Sequence, residues 1–407
     1  MKTLNGSAER LAEIDALRGF ALFGVFGANL PLFCGLAYSP EIISSSTGLD
    51  GALSFVRLWL VENKFMGLFS MLFGYSFWLF LRALQARGEK SLAPFFRRIG
   101  WLFVFGAVHG WVLWCWDILR IYALWALLLP LFLAASPRRL LVASACFAFV
   151  VPALVAFVRV LLTPAEGADD AIVTAFSEAL RVFSTGTFLE AWRANWQLDW
   201  AITLRLGQLG YQAMVFGYFL MGLAAAKYFG DDGPAARPEL LAKVWWWTAP
   251  TGLAVGWILA AGGFNGAGEW PGLAGAFTAA HAVVVAQLGN AVLALAWASG
   301  FLWLTTRPRA RGWLLKLAPV GRMALSLYLL QSLLGLVMFY HWTGGPTWMG
   351  QWSERDVALC WVGGFALQIV LATVWLRHHS QGPVEWLWRS LTWWRVQAWY
   401  GSREKKT

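Results

Sequence analysis

The stretch EIDALRGFALFGVFGANLPLF, residues 13–33, begins with Glu13, Asp15 and Arg18, turns apolar at Gly19, and still carries an amide, Asn29, deep in the apolar run. About 20 consecutive apolar residues form a helix long enough to cross a hydrocarbon layer of roughly 30 Å. Similar runs recur along the 407-residue chain, which is 59% hydrophobic and only 13% charged. They are apolar on every face, whereas the strands of a membrane barrel would alternate apolar and polar residues over segments of about ten. The expectation is an all-α, polytopic transmembrane helical bundle.

Ten spans are expected, at roughly 16–37, 64–84, 96–115, 118–136, 140–163, 207–229, 241–263, 275–305, 314–340 and 356–377. The loops after even-numbered spans, with the two tails, hold 24 of the 32 Lys and Arg, which predicts that both termini are cytoplasmic. The net charge of +10 is thereby read as topology and contact with anionic lipid, not as nucleic-acid binding. Residues 1–377 form the membrane domain in this reading. Two segments stand apart from the spans. The outer insertion at about 163–206 contains TAFSEALRVF and LEAWRANWQLDWAITLRL, whose apolar residues recur at helical spacing and suit amphipathic helices on the outer surface or over an outer cavity. GLDGALSFVRLWLVENK, residues 48–64, is a second outer insertion. Residues 378–407 form a basic, Trp-rich tail whose run EWLWRSLTWWRVQAW suits a helix resting in the cytoplasmic interface.

Several chemistries are excluded by what the sequence lacks. No Walker A loop, HExxH pair or dinucleotide glycine fingerprint occurs, so an ATP-driven pump, zinc protease or redox enzyme is not expected. Cys34, Cys115, Cys146 and Cys360 have no CxxC spacing, so no metal site and no tightly bound cofactor is predicted, although Cys34 and Cys115 fall near one face and are compatible with a disulfide. Gly19, Gly24 and Gly27 suit close helix packing.

Ionisable groups at membrane depth cost at least about 2.5 kcal/mol each, which makes them functional candidates. Arg18 and Asn29 are eleven residues apart, close to three helical turns, so they share a face about 16 Å long, with Asp15 placed to pair with Arg18. A span-end marker and an interhelical bond would explain the same two residues. Arg98 and His109 repeat that spacing on the next candidate face. His109 is followed by Asp117, Arg120 and Tyr122, an arrangement that offers a general base, a carboxylate to orient it and an anion binder, or else a satisfied core histidine. Lys64, Ser326, Tyr328 and Gln331 form a third group that suits either substrate contact or helix-to-helix hydrogen bonds.

The segments EIDALRGFALFGVFGANL, NKFMGLFSMLFGYSF, HGWVLWCWDILRIY, GRMALSLYLLQS and QGPVEWLWRSLTW together resemble the YeiB-like family of bacterial inner-membrane proteins, a family of unknown function. That family is similar, more distantly, to membrane acyltransferases, including the heparan-glucosaminide acetyltransferases and surface-glycan acyltransferases, which begin with a comparable D-x-x-RG span. Where the surface-glycan enzymes carry a His, this chain has Asn29; where the heparan-type enzymes carry theirs, it has Pro40. His109 is therefore the base that the residues themselves offer. The resemblance implies a multi-pass protein of the bacterial inner membrane that moves an acyl group from cytoplasmic acyl-CoA, acetyl-CoA first among them, to an outer-face acceptor (a glycan, lipid or small molecule). Arg18 and Arg98 would hold donor phosphates, Asn29 the acyl oxygen, and His109 with Asp117 would deprotonate the acceptor. The alternatives are a transporter or flippase of a small amphiphile, and a scaffold without chemistry. Oligomeric state, a homo-oligomer included, is open.

Overall fold

The computed structural model describes residues 2–38, 47–162, 168–203, 206–262 and 272–400. Among these the chain is helical throughout, with no strand beyond an isolated bridge between His379 and Tyr400. Six stretches are long and apolar enough to cross a membrane: Ala12–Phe33, Gly48–Ala86, Pro137–Leu162, Gln208–Phe229, Ala274–Thr305 and Glu354–His378. Pro308–Arg322 with Ala324–Phe339, bent by 75°, makes a seventh if the pair is one span. The protein is a multi-pass helical membrane protein.

The helices that matter for the site are α1 (Lys2–Phe33), α2 (Gly48–Leu60), α3 (Lys64–Ala86), α4 (Ala93–Val108), α5 (Leu119–Ala126), α6 (Pro137–Ala145), α7 (Val151–Leu162), α8 (Ala168–Thr185), α9 (Phe188–Thr203) and α10 (Leu206–Phe229). They are followed by α11 (Pro238–Ala260), α12 (Gly272–Thr305), α13 (Pro308–Leu314), α14 (Ala318–Arg322), α15 (Ala324–Phe339), α16 (Glu354–His378) and α17 (Pro383–Trp393). Three expected spans are neither among the six nor the bent pair. The 96–115 run is α4 followed by a π turn at His109–Leu113, and the 118–136 run is broken after α5 by a turn and a short 3₁₀ segment around Pro130. An eight-residue α5 is only about 12 Å long, well short of a bilayer core. The 241–263 run forms α11, which is long enough but carries Trp245, Trp246, Trp247, Thr248, Pro250 and Thr251. Within the 48–64 segment expected as an outer insertion, Gly48–Leu60 form α2, which a turn at 61–63 joins to α3 in the Gly48–Ala86 stretch. The 168–203 part of the expected amphipathic insertion is helical, as α8 and α9.

Small residues set the closest approaches. A side chain at Gly19 would meet the backbone of Leu317, and one at Gly321 would meet the backbone of Asp15, so α1 and α14 touch main chain to main chain. Without hydrophobic drive between helices in lipid, such contacts supply the van der Waals packing that holds them together. Gly24 and Gly27 receive the rings of Phe65 and Trp361.

The α2–α16 contact is ionic. Arg57 donates to Glu354 through Nε (3.2 Å) and Nη2 (2.8 Å) and to Glu62 through Nη1 (2.8 Å). Arg57 and Glu354 are both buried, so removing one partner leaves an uncompensated charge, which costs about 3–5 kcal/mol. Glu354→Ala should lower the thermal unfolding temperature of the protein in lipid nanodiscs markedly. The double variant Arg57→Met/Glu354→Leu should recover most of that loss.

Candidate functional site

Helices α1, α3, α4, α5, α10, α15 and α17 enclose a cavity of about 1130 Å³. Arg18 and Asn29 both line it, as the eleven-residue spacing on a continuous helix predicts, and so does Arg98. The Arg18–Asn29 stripe and Arg98 therefore open onto one space. Tyr122 and Tyr328 line it as well, and Asp117 and Arg120 lie toward the Asn29 end.

The Arg18 end is basic. Arg18, Arg98, Arg322 and Arg389 line it against the carboxylates of Asp15 and Glu385. Arg18 is neutralised and fixed: Nη1 donates to Asp15 Oδ1 (2.6 Å) and to the Gly321 carbonyl (3.3 Å), and Nη2 donates to Ser76 Oγ (3.0 Å). Arg98 differs. Among the described residues no carboxylate pairs with it; its guanidinium lies over the Trp388 ring, 3.5 Å from the centroid, while Trp388 Nε1 donates to the Arg98 carbonyl (2.7 Å). A cation held by an aromatic face keeps its N–H groups available to an anion.

The wall at this end is α17, which the sequence suggested was an interfacial anchor. The helix is docked onto the bundle by Glu385, which accepts from Leu325 N (2.7 Å), Ser326 N (3.0 Å) and the Ser326 hydroxyl, and by Arg97 Nε donating to the Thr392 carbonyl (2.9 Å). Burial pushes the Glu385 carboxyl above the ordinary glutamate value, against the lowering effect of those donors. Burial also lowers Arg389, helped by the nearby charges of Arg87 and Arg322.

At the other end the helix of α4 stops being α-helical. His109–Leu113 form a π turn closed by Trp114 N donating to the His109 carbonyl (2.7 Å). The turn is possible beside Arg120 because position 110 is glycine: any side chain there would collide with the Arg120 guanidinium. Asp117 then reaches both partners expected of it. Its Oδ1 faces His109 Nδ1 at 2.9 Å, and its Oδ2 accepts from Arg120 N (2.8 Å) and Nε (3.4 Å). A carboxylate only accepts, so Nδ1 carries the proton in this pair and Nε2 is left as the acceptor. Nε2 is buried and, among the described residues, has no hydrogen-bond partner.

His109 itself does not line the cavity, in contrast to what a straight Arg98–His109 stripe would give. It is buried, with its ring against Tyr328 (centroids 5.3 Å apart), and Tyr328 is the residue that faces the cavity. Lys64, Ser326 and Gln331 are also absent from the cavity wall. Lys64 Nζ caps the Leu58 carbonyl (2.6 Å), Ser326 holds Glu385, and Gln331 Nε2 donates to Gln368 Oε1 (2.9 Å). These are the helix-to-helix bonds that were the alternative reading for that group. Tyr122 is bonded to Ser70 (2.6 Å). The four cysteines are free thiols, so Cys34 and Cys115 are not bridged. Among the described residues no cluster of metal-ligating side chains occurs.

Residues 229–395 match a family model described as a protein of unknown function (DUF418), a stretch that includes Arg322, Tyr328, Glu385, Trp388 and Arg389. An uncharacterized protein YxaH of Bacillus subtilis (strain 168) is 27% identical, with 94% of each chain covered. An uncharacterized protein YeiB of Escherichia coli (strain K12) is also 27% identical, covering 94% of this chain and 96% of its own. The chain is similar to both YeiB and YxaH over nearly its whole length. No solved structure matches.

Because Glu385 is raised, its contribution to docking α17 is fully present below the ordinary value of 4.5 and is lost as pH rises through its higher folded value. Proteolytic release of the C-terminal segment from detergent-solubilised protein should therefore increase with pH across that interval. Glu385→Gln should make release independent of pH.

Proposed function

We propose that the protein is an acyltransferase of the bacterial inner membrane that takes an acyl group from cytoplasmic acyl-CoA and passes it to an acceptor at the outer face. Ten crossings, with both termini cytoplasmic, are part of this reading: beside the six stretches and the bent pair, α4, α11 and the broken run of α5 with the segment around Pro130 would each cross once, and the basic end of the cavity would then open to the cytoplasm. The observation that supports it is a single cavity lined by Arg98, which no carboxylate pairs among the described residues, and by Asp117, which holds His109 behind Tyr328. Guanidinium groups at the mouth suit the phosphates of a CoA donor. The thioester arm would run along the cavity past Asn29, whose amide is placed to donate to the acyl oxygen as it becomes an oxyanion.

The chemistry is a simple exchange. The acceptor hydroxyl or amine gives its proton to His109 Nε2 and attacks the thioester carbonyl, forming the new C–O or C–N bond. The C–S bond breaks, and the departing CoA thiolate takes the proton back from the imidazolium. Asp117 holds the ring and stabilises its charged form. Tyr328 stands between His109 and the cavity, so its ring has to turn aside as the acceptor arrives.

A second reading is transport of a small amphiphile. It is favoured by the cavity having exposed residues at separate mouths, Arg322 and Arg389 at one and Asn63 at another.

Thiol release from acetyl-CoA by protein in nanodiscs, alongside equilibrium binding of the same donor, separates the two. Arg98→Ala should weaken donor binding by roughly 10- to 100-fold, the worth of a charge-assisted hydrogen bond. His109→Gln should leave binding intact and slow thiol release by about 100-fold or more. Donor that neither binds nor is consumed, with substrate movement unaffected by His109→Gln, would favour transport.

A further inference from the structure

Helix α9 has two unlike faces. Trp192, Trp196 and Trp200 are exposed at four-residue spacing, while Ala191, Ala194, Asn195, Leu198 and Asp199 are buried. Two polar groups on a buried face are costly unless they are bonded. Both are, and all their partners lie in one short stretch of chain. Asn195 Oδ1 accepts from Cys115 N (2.7 Å) and its Nδ2 donates to the Gly110 carbonyl (3.1 Å). Asp199, one turn on, takes both terminal nitrogens of Arg120, Nη1 at 2.9 Å and Nη2 at 2.6 Å.

The Asp199 contact decides how Asp117 is shared. Arg120 carries a planar fork of donors that prefers a bidentate grip on a carboxylate. With Nη1 and Nη2 gripped by Asp199, the guanidinium is held with its Nε edge toward Asp117, and Nε reaches Oδ2 at 3.4 Å. Asp117 Oδ1 is thereby kept for His109 Nδ1. The groups facing His109 and its partner are Asp117 and Arg120 from the loop, Asp199 from α9 and Tyr328 from α15.

We propose that Asp199 and Asn195 are positioning residues: α9 restrains Arg120 and the 110–115 backbone so that Asp117 holds His109 in a single tautomer. The inference rests on reading His109–Asp117 as the acid–base pair, and it assigns to the α8–α9 hairpin a part in the site beyond covering it. Removing Asp199 frees the Arg120 fork to close on both Asp117 oxygens, and His109 Nδ1 loses its acceptor.

The test needs no substrate. Protein labelled with ¹⁵N at its five histidines is placed in nanodiscs, and the His109 signals are identified by their loss in His109→Gln. Wild type should show one tautomer, protonated at Nδ1. Asp199→Asn should show a second tautomer at comparable intensity, as should Asn195→Ala, and Asp199→Glu should restore the single form. Arg120→Gln/Asp199→Asn should also restore it, because the competing cation is gone; this variant keeps the proposal testable if Asp199→Asn alone does not fold. A single tautomer in Asp199→Asn, or failure of the double variant to restore it, would overturn the proposal. Loss of acetyl-CoA binding in the functional assay would sink the acyltransferase reading and leave this result standing.

Discussion

A charge inside an apolar helical bundle must be neutralised, capped or opened to water, and that constraint arranges most of this molecule. Arg57 and Glu354 meet it as a buried pair, and Lys64 meets it by capping a carbonyl. Arg18 is closed by Asp15, Ser76 and the Gly321 carbonyl. Arg120 lies between two carboxylates. Arg98 meets the constraint in a different way, with an aromatic face on one side and the cavity on the other. The site is thus visible as the place where the general solution is left incomplete.

The reading of the fold from sequence succeeded where one regular period governed a long stretch. On α1 the 3.6-residue turn is unbroken from Asp15 to Asn29, so the shared face of Arg18 and Asn29 was legible. From Arg98 to His109 the helix is also regular, but Tyr328 packs against the His109 ring and keeps it off the cavity wall, which spacing within one helix does not reveal; past His109 a π turn ends the arithmetic. The pairing of His109 with Asp117 was still legible, since a short chain between them limits how far apart they can lie. Span counting suffered at the same places, where a helix of apolar composition is too short or too interrupted to be one crossing.

The parts that were hidden depended on distant packing. The composition of α17, Trp with Arg, suits an interface and gives no sign that the helix docks on α4 and is held by Glu385 meeting Ser326. Asp199 sits in an amphipathic pattern in which an acidic residue usually marks the wet side; here the exposed side belongs to tryptophans. Ser326 and Gln331 illustrate the reverse, polar residues in a span that serve only to join helices.

The stacking of Arg98 on Trp388 joins residues almost three hundred positions apart, and this bears on the order in which the protein is made. At synthesis rates of about 5–20 residues per second, α4 waits on the order of 15–60 s for its partner helix. During that interval the cation of Arg98 has neither its aromatic face nor the wall that turns the basic mouth into a cavity. Biogenesis therefore keeps the mouth unfinished until the final helix has left the ribosome, and a chain cut short before Pro383 would enter the membrane with its helices but without a closed entrance.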